Sequence, residues 1–124
     1  MLTDERLVAF LATSNAEGAR AFYEGVLGLT FAGDNGHLVM FDCGPARIAL
    51  QKTATVTPKP GTAVGWAVAD LHGTVRSLAA KGVVFERFAG MEQDEAGVWR
   101  PGLGEGVAWF KDPDGNVLSL SGTV

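Results

Sequence analysis

The chain holds a single cysteine, Cys43, so it cannot form an internal disulfide. It also lacks a long apolar run, because its longest uncharged stretches, such as Leu7–Ala16 and Pro60–Ala69, span only ten residues each. A membrane-spanning helix needs about 20 apolar residues. A signal peptide has a basic segment followed by an apolar one, and Met1–Arg6 does not begin such a pattern. We therefore predict no membrane association and expect a reducing, cytoplasmic setting.

Clustered positive charge is missing as well. The 10 basic residues are scattered along the chain, and 14 acidic residues bring the net charge to −4. Binding to nucleic acid requires a basic surface that displaces counterions from phosphates. We therefore predict no nucleic-acid partner.

Glycine, by contrast, is abundant. There are 17 glycines in 124 residues, and most stand singly at turn-like positions. A chain of this length forms one domain on the usual prior of roughly 100–200 residues per domain. Single glycines between short apolar segments are typical of many short strands joined by tight turns.

The first half of the chain follows the order βαβββ. An apolar strand at Leu7–Ala12 precedes Ser14, which with Glu17 matches a capping box for a helix that ends at Gly28. Three further strands follow, at 29–32, 37–42 and 47–52, separated by an Asn-Gly turn and a Gly-Pro turn. This unit spans residues 6–52.

The same order recurs after a linker at residues 53–61, which carries two prolines and three threonines. The second unit, residues 62–122, begins with a strand at 63–68 and a helix capped by Asp70 and ended by Gly82. Strands are predicted at Val83–Arg87, 107–110 and 116–121, with a long polar segment at Ala89–Gly106 between the first two of these. The simplest interpretation is an internal duplication of one βαβββ unit within a single domain, residues 1–124.

Strand parity predicts which side chains share a face. Ile48 and Leu50 alternate with Arg47, Ala49 and Gln51. In the same way Val64 and Trp66 alternate with Ala63 and Gly65, and Leu118 and Leu120 alternate with Ser119. Each sheet thus has one strongly apolar face for its helix, and an opposite face of small, mixed or polar residues that is suited to a ligand cleft.

Three segments resemble motifs of one known family. Ala21–Leu29 resembles FYxxxLGL, Val68–Leu71 resembles VxDL, and Phe110–Asn116 resembles FxDPDGN. With the duplicated unit, they resemble the vicinal oxygen chelate superfamily, which includes glyoxalases, bleomycin-resistance proteins and extradiol dioxygenases. The resemblance covers nearly the whole chain. It implies an α+β fold of two βαβββ modules, in which a curled mixed sheet surrounds a cleft and the helices lie outside.

The resemblance also implies where metal-using members hold their ligands. The matching positions here are Val8, Ala63, Ser119 and a place at or near Ala49, with Gln51 two residues further on. None of these side chains is an imidazole, carboxylate or thiolate, the groups that Zn, Fe or Mn prefer. We interpret the two histidines, His37 and His72, as surface residues, and Cys43 as a small apolar residue. We therefore predict no metal and no cofactor.

These observations favour a metal-free protein that binds and sequesters an aromatic or antibiotic-like small molecule in the cleft. We predict a mostly apolar pocket with Arg47 and Gln51 as polar groups, Trp99 as a lid, and walls formed by Val8, Phe10, Ala49, Ala63, Gly65 and Ser119. No catalytic residue is assigned. A divergent lyase, isomerase or dioxygenase, and a regulatory or partner-binding module, are the alternatives that the residues leave open. Exposed sheet edges and the family resemblance lead us to expect a homodimer.

Overall fold

In the computed structural model, which describes residues 1–102 and 104–124, the alternating pattern of the first half folds into a four-stranded sheet. Its strands are β1 (Val8–Thr13), β2 (Thr30–Asp34), β3 (Leu38–Cys43) and β4 (Ala46–Lys52). They lie in the order β1-β4-β3-β2, with β1 parallel to β4 and the other pairs antiparallel. This mixed sheet belongs to unit 1, the compact unit formed by residues 1–58 and 113–115.

The helix of unit 1 changes form along its length. Helix α1 (Ala16–Arg20) begins at Asn15, whose side chain accepts a hydrogen bond from the Gly18 N–H. The chain continues as a π-helical turn over Ala21–Val26 and ends at Gly28, whose φ of +76° lies in the left-handed region. The predicted capping box at Ser14 is wrong, because the backbone N–H and the hydroxyl of Ser14 both donate to Asp114 instead.

One face of this sheet carries the helix. Tyr23 is fully buried, and its ring stacks on Phe41 with 5.4 Å between centroids. Register pairs Phe41 with Ile48, and both are buried. The predicted sorting of Ile48 and Leu50 onto the core-facing side is therefore confirmed. We call this the helix-bearing face and the opposite one the helix-free face.

Unit 2 is formed by residues 59–112 and 116–124. Its strands are β5 (Val64–Ala67), β6 (Glu105–Lys111) and β7 (Val117–Thr123), in the order β5-β7-β6. Strand β5 is parallel to β7, and β6 is antiparallel to it. As predicted, Asp70 caps helix α2 (Leu71–Ala80), accepting a hydrogen bond from the Gly73 N–H at 3.0 Å.

Helix α2 lies against a glycine pair in this sheet. Gly106 and Gly122 are paired in register, and an added Cβ at either would come within 3.3 Å of the side chain of Leu71. On the same face Phe110, Leu118 and other apolar side chains of unit 2 are buried. The predicted parity of Leu118 and Leu120 is confirmed.

The predicted strand Val83–Arg87 is wrong. Within it, only the Glu86 N–H donates to β6, at the carbonyl of Trp109, 2.7 Å away. Further along, Trp99 forms two backbone hydrogen bonds of 2.9 Å with Val107 on the same edge of β6. Two segments share this edge of β6, so neither of them forms a continuous ladder of hydrogen bonds with it. The second sheet therefore has three strands instead of the predicted four.

No helix within 1–102 and 104–124 is long and apolar enough to cross a bilayer.

Candidate functional site

The helix-free face of unit 1 carries three rows of side chains across β1, β4 and β3. Strand pairing sets the rows, since β1 and β3 both pair with β4. The rows, in the order β1, β4, β3, are Val8–Arg47–Asp42, Phe10–Ala49–Met40 and Ala12–Gln51–Leu38. All five unit 1 residues of the predicted site lie on this face.

The middle row combines an exposed aromatic ring with a covered small residue. The Phe10 side chain is 66% exposed, which is unusual for a phenylalanine in a strand. Ala49, its partner in register, is 1% exposed. The ring of Phe10 is therefore accessible, whereas Ala49 beside it is covered.

Arg47 and Asp42 form an ion pair beside this row. Arg47 Nε and Nη2 donate to the two carboxylate oxygens of Asp42 at 2.7 and 3.3 Å, and Nη1 lies 3.7 Å from Met40 Sδ. The hydrogen bond from Arg47 lowers the pKa of Asp42 and raises that of Arg47. Both groups are therefore charged at neutral pH, and the guanidinium lies across two rows of the face.

The helix-free face of unit 2 is flat at one end and aromatic at the other. Gly65, Ser119 and Trp109 lie side by side across β5, β7 and β6. A Cβ at Gly65 would collide with the Ser119 hydroxyl, so this glycine keeps the flat end open. Trp109 Nε1 donates to Thr62 Oγ1 at 3.1 Å, which holds the indole in place.

Three aromatic side chains cluster at the Trp109 end. The Trp99 ring lies 6.0 Å from the Trp109 ring, and the Phe88 ring meets Trp109 edge-on at 5.4 Å. We call Phe88, Trp99 and Trp109 the aromatic cluster. Trp99 forms two backbone hydrogen bonds with Val107 of β6, and its role as a lid stays a prediction. Leu103, in the same predicted loop, lies outside the described residues.

The structure thus distributes the nine predicted residues over two helix-free faces. Unit 1 carries Val8, Phe10, Arg47, Ala49 and Gln51, and unit 2 carries Ala63, Gly65, Trp99 and Ser119. Ala63 directly precedes β5, and its N–H donates to Val117 O. That these residues bind a ligand stays a prediction.

Sequence reasoning missed Asp42, Met40 and the aromatic cluster as a group. A signal for Asp42 was present: Gly44 and Pro45 form a two-residue turn, which places 43 opposite 46 and therefore Asp42 opposite Arg47. For the aromatic cluster no local signal existed. Phe88, Trp99 and Trp109 meet only because two separate segments share the edge of β6.

The Asp-Pro-Asp-Gly-Asn segment is structural. Asp114 accepts hydrogen bonds from the hydroxyls of Thr13 and Ser14, both at 2.6 Å, and from the Ser14 N–H at 2.9 Å. Burial opposes ionisation of Asp114, but these hydrogen bonds outweigh it and lower its pKa. The Asp114 carboxylate therefore stabilises the end of β1.

His72, predicted as a surface residue, is only partly exposed and is paired with Asp94. Its Nε2 lies 2.7 Å from Asp94 Oδ2, and Asp94 Oδ1 also accepts the N–H groups of Ala96 and Val98. Burial raises the pKa of Asp94, but these contacts outweigh it and lower the pKa overall. The pair ties the start of α2 to the segment that carries Trp99. His37 is exposed, as expected.

The donors for a metal ion do not come together. Over residues 1–102 and 104–124, no group of three or more His, Cys, Asp or Glu side chains could hold one. At the positions where the family resemblance puts ligands, the chain presents valine, alanine and serine. These side chains do not fit a divalent cation.

Two open grooves lie away from the predicted residues. One of about 440 Å³ in unit 1 lies beside Arg20 and Phe31, and one of about 400 Å³ in unit 2 lies beside Asp94 and Arg100. In the first, the Arg20 guanidinium already covers the Phe31 ring at 3.7 Å and pairs with Glu24 at 2.9 Å. Among residues 1–102 and 104–124, no cation covers Phe10, Phe88, Trp99 or Trp109 on the helix-free faces in this way.

Residues 6–120 match the family model described as the Glyoxalase/Bleomycin resistance protein/Dioxygenase superfamily. The chain therefore belongs to this superfamily. No curated protein matches it in sequence.

Solved structures share its fold. TnmS3, an antibiotic-binding protein from a Streptomyces species, matches with a TM-score of 0.73 at 19% identity, covering 100% of this chain and 99% of TnmS3. Lactoylglutathione lyase from Agrobacterium tumefaciens matches with a TM-score of 0.67 at 18% identity, covering 94% and 91%. A superfamily member from Sphaerobacter thermophilus matches with a TM-score of 0.68 at 21% identity, covering 98% and 99%. These likenesses establish the α+β glyoxalase-like fold, which in itself does not specify a ligand.

Proposed function

We propose that this protein binds and sequesters a small aromatic, antibiotic-like molecule without a metal ion. One observation carries the proposal: each sheet has a helix-free face on which aromatic rings stand beside small or apolar side chains. Flat ligands bind to such faces because an aromatic pair in offset or edge-on contact contributes about 0.5–1.5 kcal/mol beyond the burial of apolar area.

The aromatic cluster supports the proposal in unit 2. Trp109 is held by Thr62 and flanked by Phe88 and Trp99, so its orientation is set before a ligand arrives. Preorganised rings lose little conformational entropy on binding. Beside them, Gly65 and Ser119 leave a low surface on which a flat molecule has room to lie.

The donor set argues against a metal-dependent reaction. Val8, Ala63 and Ser119 stand where the family resemblance puts ligands, and none can coordinate a divalent cation well. The antibiotic-binding TnmS3 shares this fold. Binding without conversion is therefore the function that these residues support best.

A tryptophan comparison tests this proposal. Intrinsic fluorescence is titrated with a panel of aromatic antibiotics and aromatic metabolites, using the native protein, Trp109→Leu and Trp66→Leu. Trp66 is the matched control, because it lies in register with Leu120 on the helix-bearing face. We expect Trp109→Leu to weaken binding about tenfold, the loss of one stacked ring and its buried area, and Trp66→Leu to leave the affinity unchanged. Equal losses in both variants, or no binding across the panel, would contradict the proposal.

We also propose that two copies pair in solution. Strands β1 and β2 are the edges of the first sheet, and proteins generally cover or blunt such edges. Light scattering at tens of micromolar should give the mass of a dimer. A monomer mass would count against pairing.

A further inference from the structure

We propose that the helix-free face of unit 1 selects anionic aromatic ligands, with a carboxylate or a similar acidic group held by Arg6 and Arg47. This inference rests on the proposed function and specifies the chemical class of its ligand. Its basis is a cluster of three charged side chains next to the exposed ring of Phe10. We call Arg6, Asp42 and Arg47 the charged triad.

The charged triad has an excess of one positive charge. Asp42 Oδ1 accepts a hydrogen bond from Arg47 Nε at 2.7 Å and forms an ion pair with Arg6 Nη2 at 3.0 Å. One carboxylate therefore neutralises only one of two guanidinium groups. The hydrogen bond from Arg47 and the charge of Arg6 lower the pKa of Asp42, so this count holds at neutral pH.

Both guanidinium groups are held in position. Arg6 Nε donates to Pro45 O at 3.2 Å, at the turn between β3 and β4. Arg47 Nη1 reaches Met40 Sδ at 3.7 Å in the neighbouring row. A guanidinium has five N–H donors, and these contacts use only part of them. The remaining donors suit a planar carboxylate, which guanidinium groups bind with two parallel hydrogen bonds.

An apolar platform adjoins these donors. Arg47 belongs to the row next to Phe10, Ala49 and Met40. The side chains of Arg6 and Arg47 are 42% and 28% exposed, so a ligand has access to both. A molecule whose aromatic ring and acidic group are spaced like the neighbouring rows of Phe10 and Arg47 matches this arrangement in both shape and charge. A neutral aromatic molecule matches only half of it.

The test compares two probes of equal shape, 2-naphthoate and 2-naphthamide, by isothermal titration at low salt. We expect the native protein to prefer the naphthoate by roughly fivefold to tenfold, the range for partly exposed charge-assisted hydrogen bonds. This preference should fall as salt is added.

Three variants then change the charge of the triad stepwise. Arg6→Gln makes it neutral and should abolish the preference, and Arg6→Lys keeps the charge and should retain most of it. Asp42→Asn adds one positive charge and should increase the preference. Because these changes are predicted in opposite directions, general destabilisation of the fold cannot reproduce the pattern.

The outcomes separate the inference from the proposed function. Equal binding of both probes, or a preference unchanged by Arg6→Gln and Asp42→Asn, overturns the inference and leaves the proposed function standing. Failure of both probes to bind overturns the inference, and the panel titration with Trp109→Leu and Trp66→Leu then decides the proposed function separately. Phe10→Ser should remove naphthoate binding without changing the mass found by light scattering. If the mass falls instead, a second copy of the chain covers this face and the inference is wrong.

Discussion

Replacing Gly122 by alanine should destabilise the protein strongly, although alanine is normally the better residue within regular structure. A Cβ at residue 122 would lie 2.6 Å from the carbonyl oxygen of Val68 and 3.3 Å from Leu71 Cβ. Non-bonded carbon–oxygen contacts normally lie at about 3.3–3.6 Å, so one partner must retreat by about 0.7–1.0 Å.

The local bonding prevents an easy retreat. The Val68 N–H donates to Ser121 O at 2.8 Å, which ties Val68 to the strand that carries Gly122. Two residues further on, Asp70 caps α2, so a shift at Val68 also disturbs the start of the helix. Overpacking of this kind costs about 1–3 kcal/mol, and the backbone contact favours the upper half of that range.

Urea and thermal unfolding measure the effect. For a chain of this length each kcal/mol lowers the midpoint by roughly 3–5 °C, so a cost of about 2–3 kcal/mol should decrease it by about 6–15 °C. Gly25→Ala is the matched control, because Gly25 lies in the π-helical turn and an added Cβ would meet no atom within 4 Å beyond its chain neighbours and the nearby helix backbone. It should be neutral or stabilising by up to about 1 kcal/mol. If Gly122→Ala is as stable as the native protein, α2 does not approach the sheet as closely as described.

Three further predictions concern the end of β1, the end of the first helix and the absence of a metal requirement. Asp114→Asn should cost about 1–2 kcal/mol at pH 7 through weakened hydrogen bonds from Thr13 and Ser14. The pKa of Asp114 is lowered from its ordinary value of 3.8, so this contribution to stability is present above that pH and is lost as the pH falls through the folded-state pKa. The unfolding curves of the variant and the native protein should therefore converge in acid. A difference that stays constant with pH would refute this. Gly28→Ala should cost about 1 kcal/mol, because the φ of +76° strains any side chain there; an unchanged urea midpoint would argue against it. Dialysis against EDTA should leave the melting temperature and aromatic binding unchanged, and a clear decrease in either would mean that the protein holds a metal.

Much of the fold follows from residues that are neighbours in the chain. Alternation places Ile48 and Leu50 on one face and Arg47 on the other, because a strand turns successive side chains to opposite sides. Asp70 caps α2 and Gly28 ends the first helix, since capping and left-handed φ depend on residues within one helical turn. These local rules were sufficient to predict the sheet faces and the element order, apart from the strand expected at Val83–Arg87.

What only the tertiary structure decided involves partners far apart in sequence. Ser14 does not cap its helix, because Asp114, 100 residues away, binds its hydroxyl and leaves the cap to Asn15. Val83–Arg87 has the pattern of a strand, but it shares the edge of β6 with Trp99 and donates a single backbone bond there.

The candidate site depends on the same kind of long-range choice. The charged triad exists because Arg6 reaches Asp42 across the turn at Pro45, and the aromatic cluster exists because Phe88 and Trp99 both come to lie beside Trp109. Periodicity specifies which face a side chain takes, but it does not specify which distant segment occupies a free sheet edge. That selection is made by backbone hydrogen bonds and side-chain contacts that form only when the chain has folded.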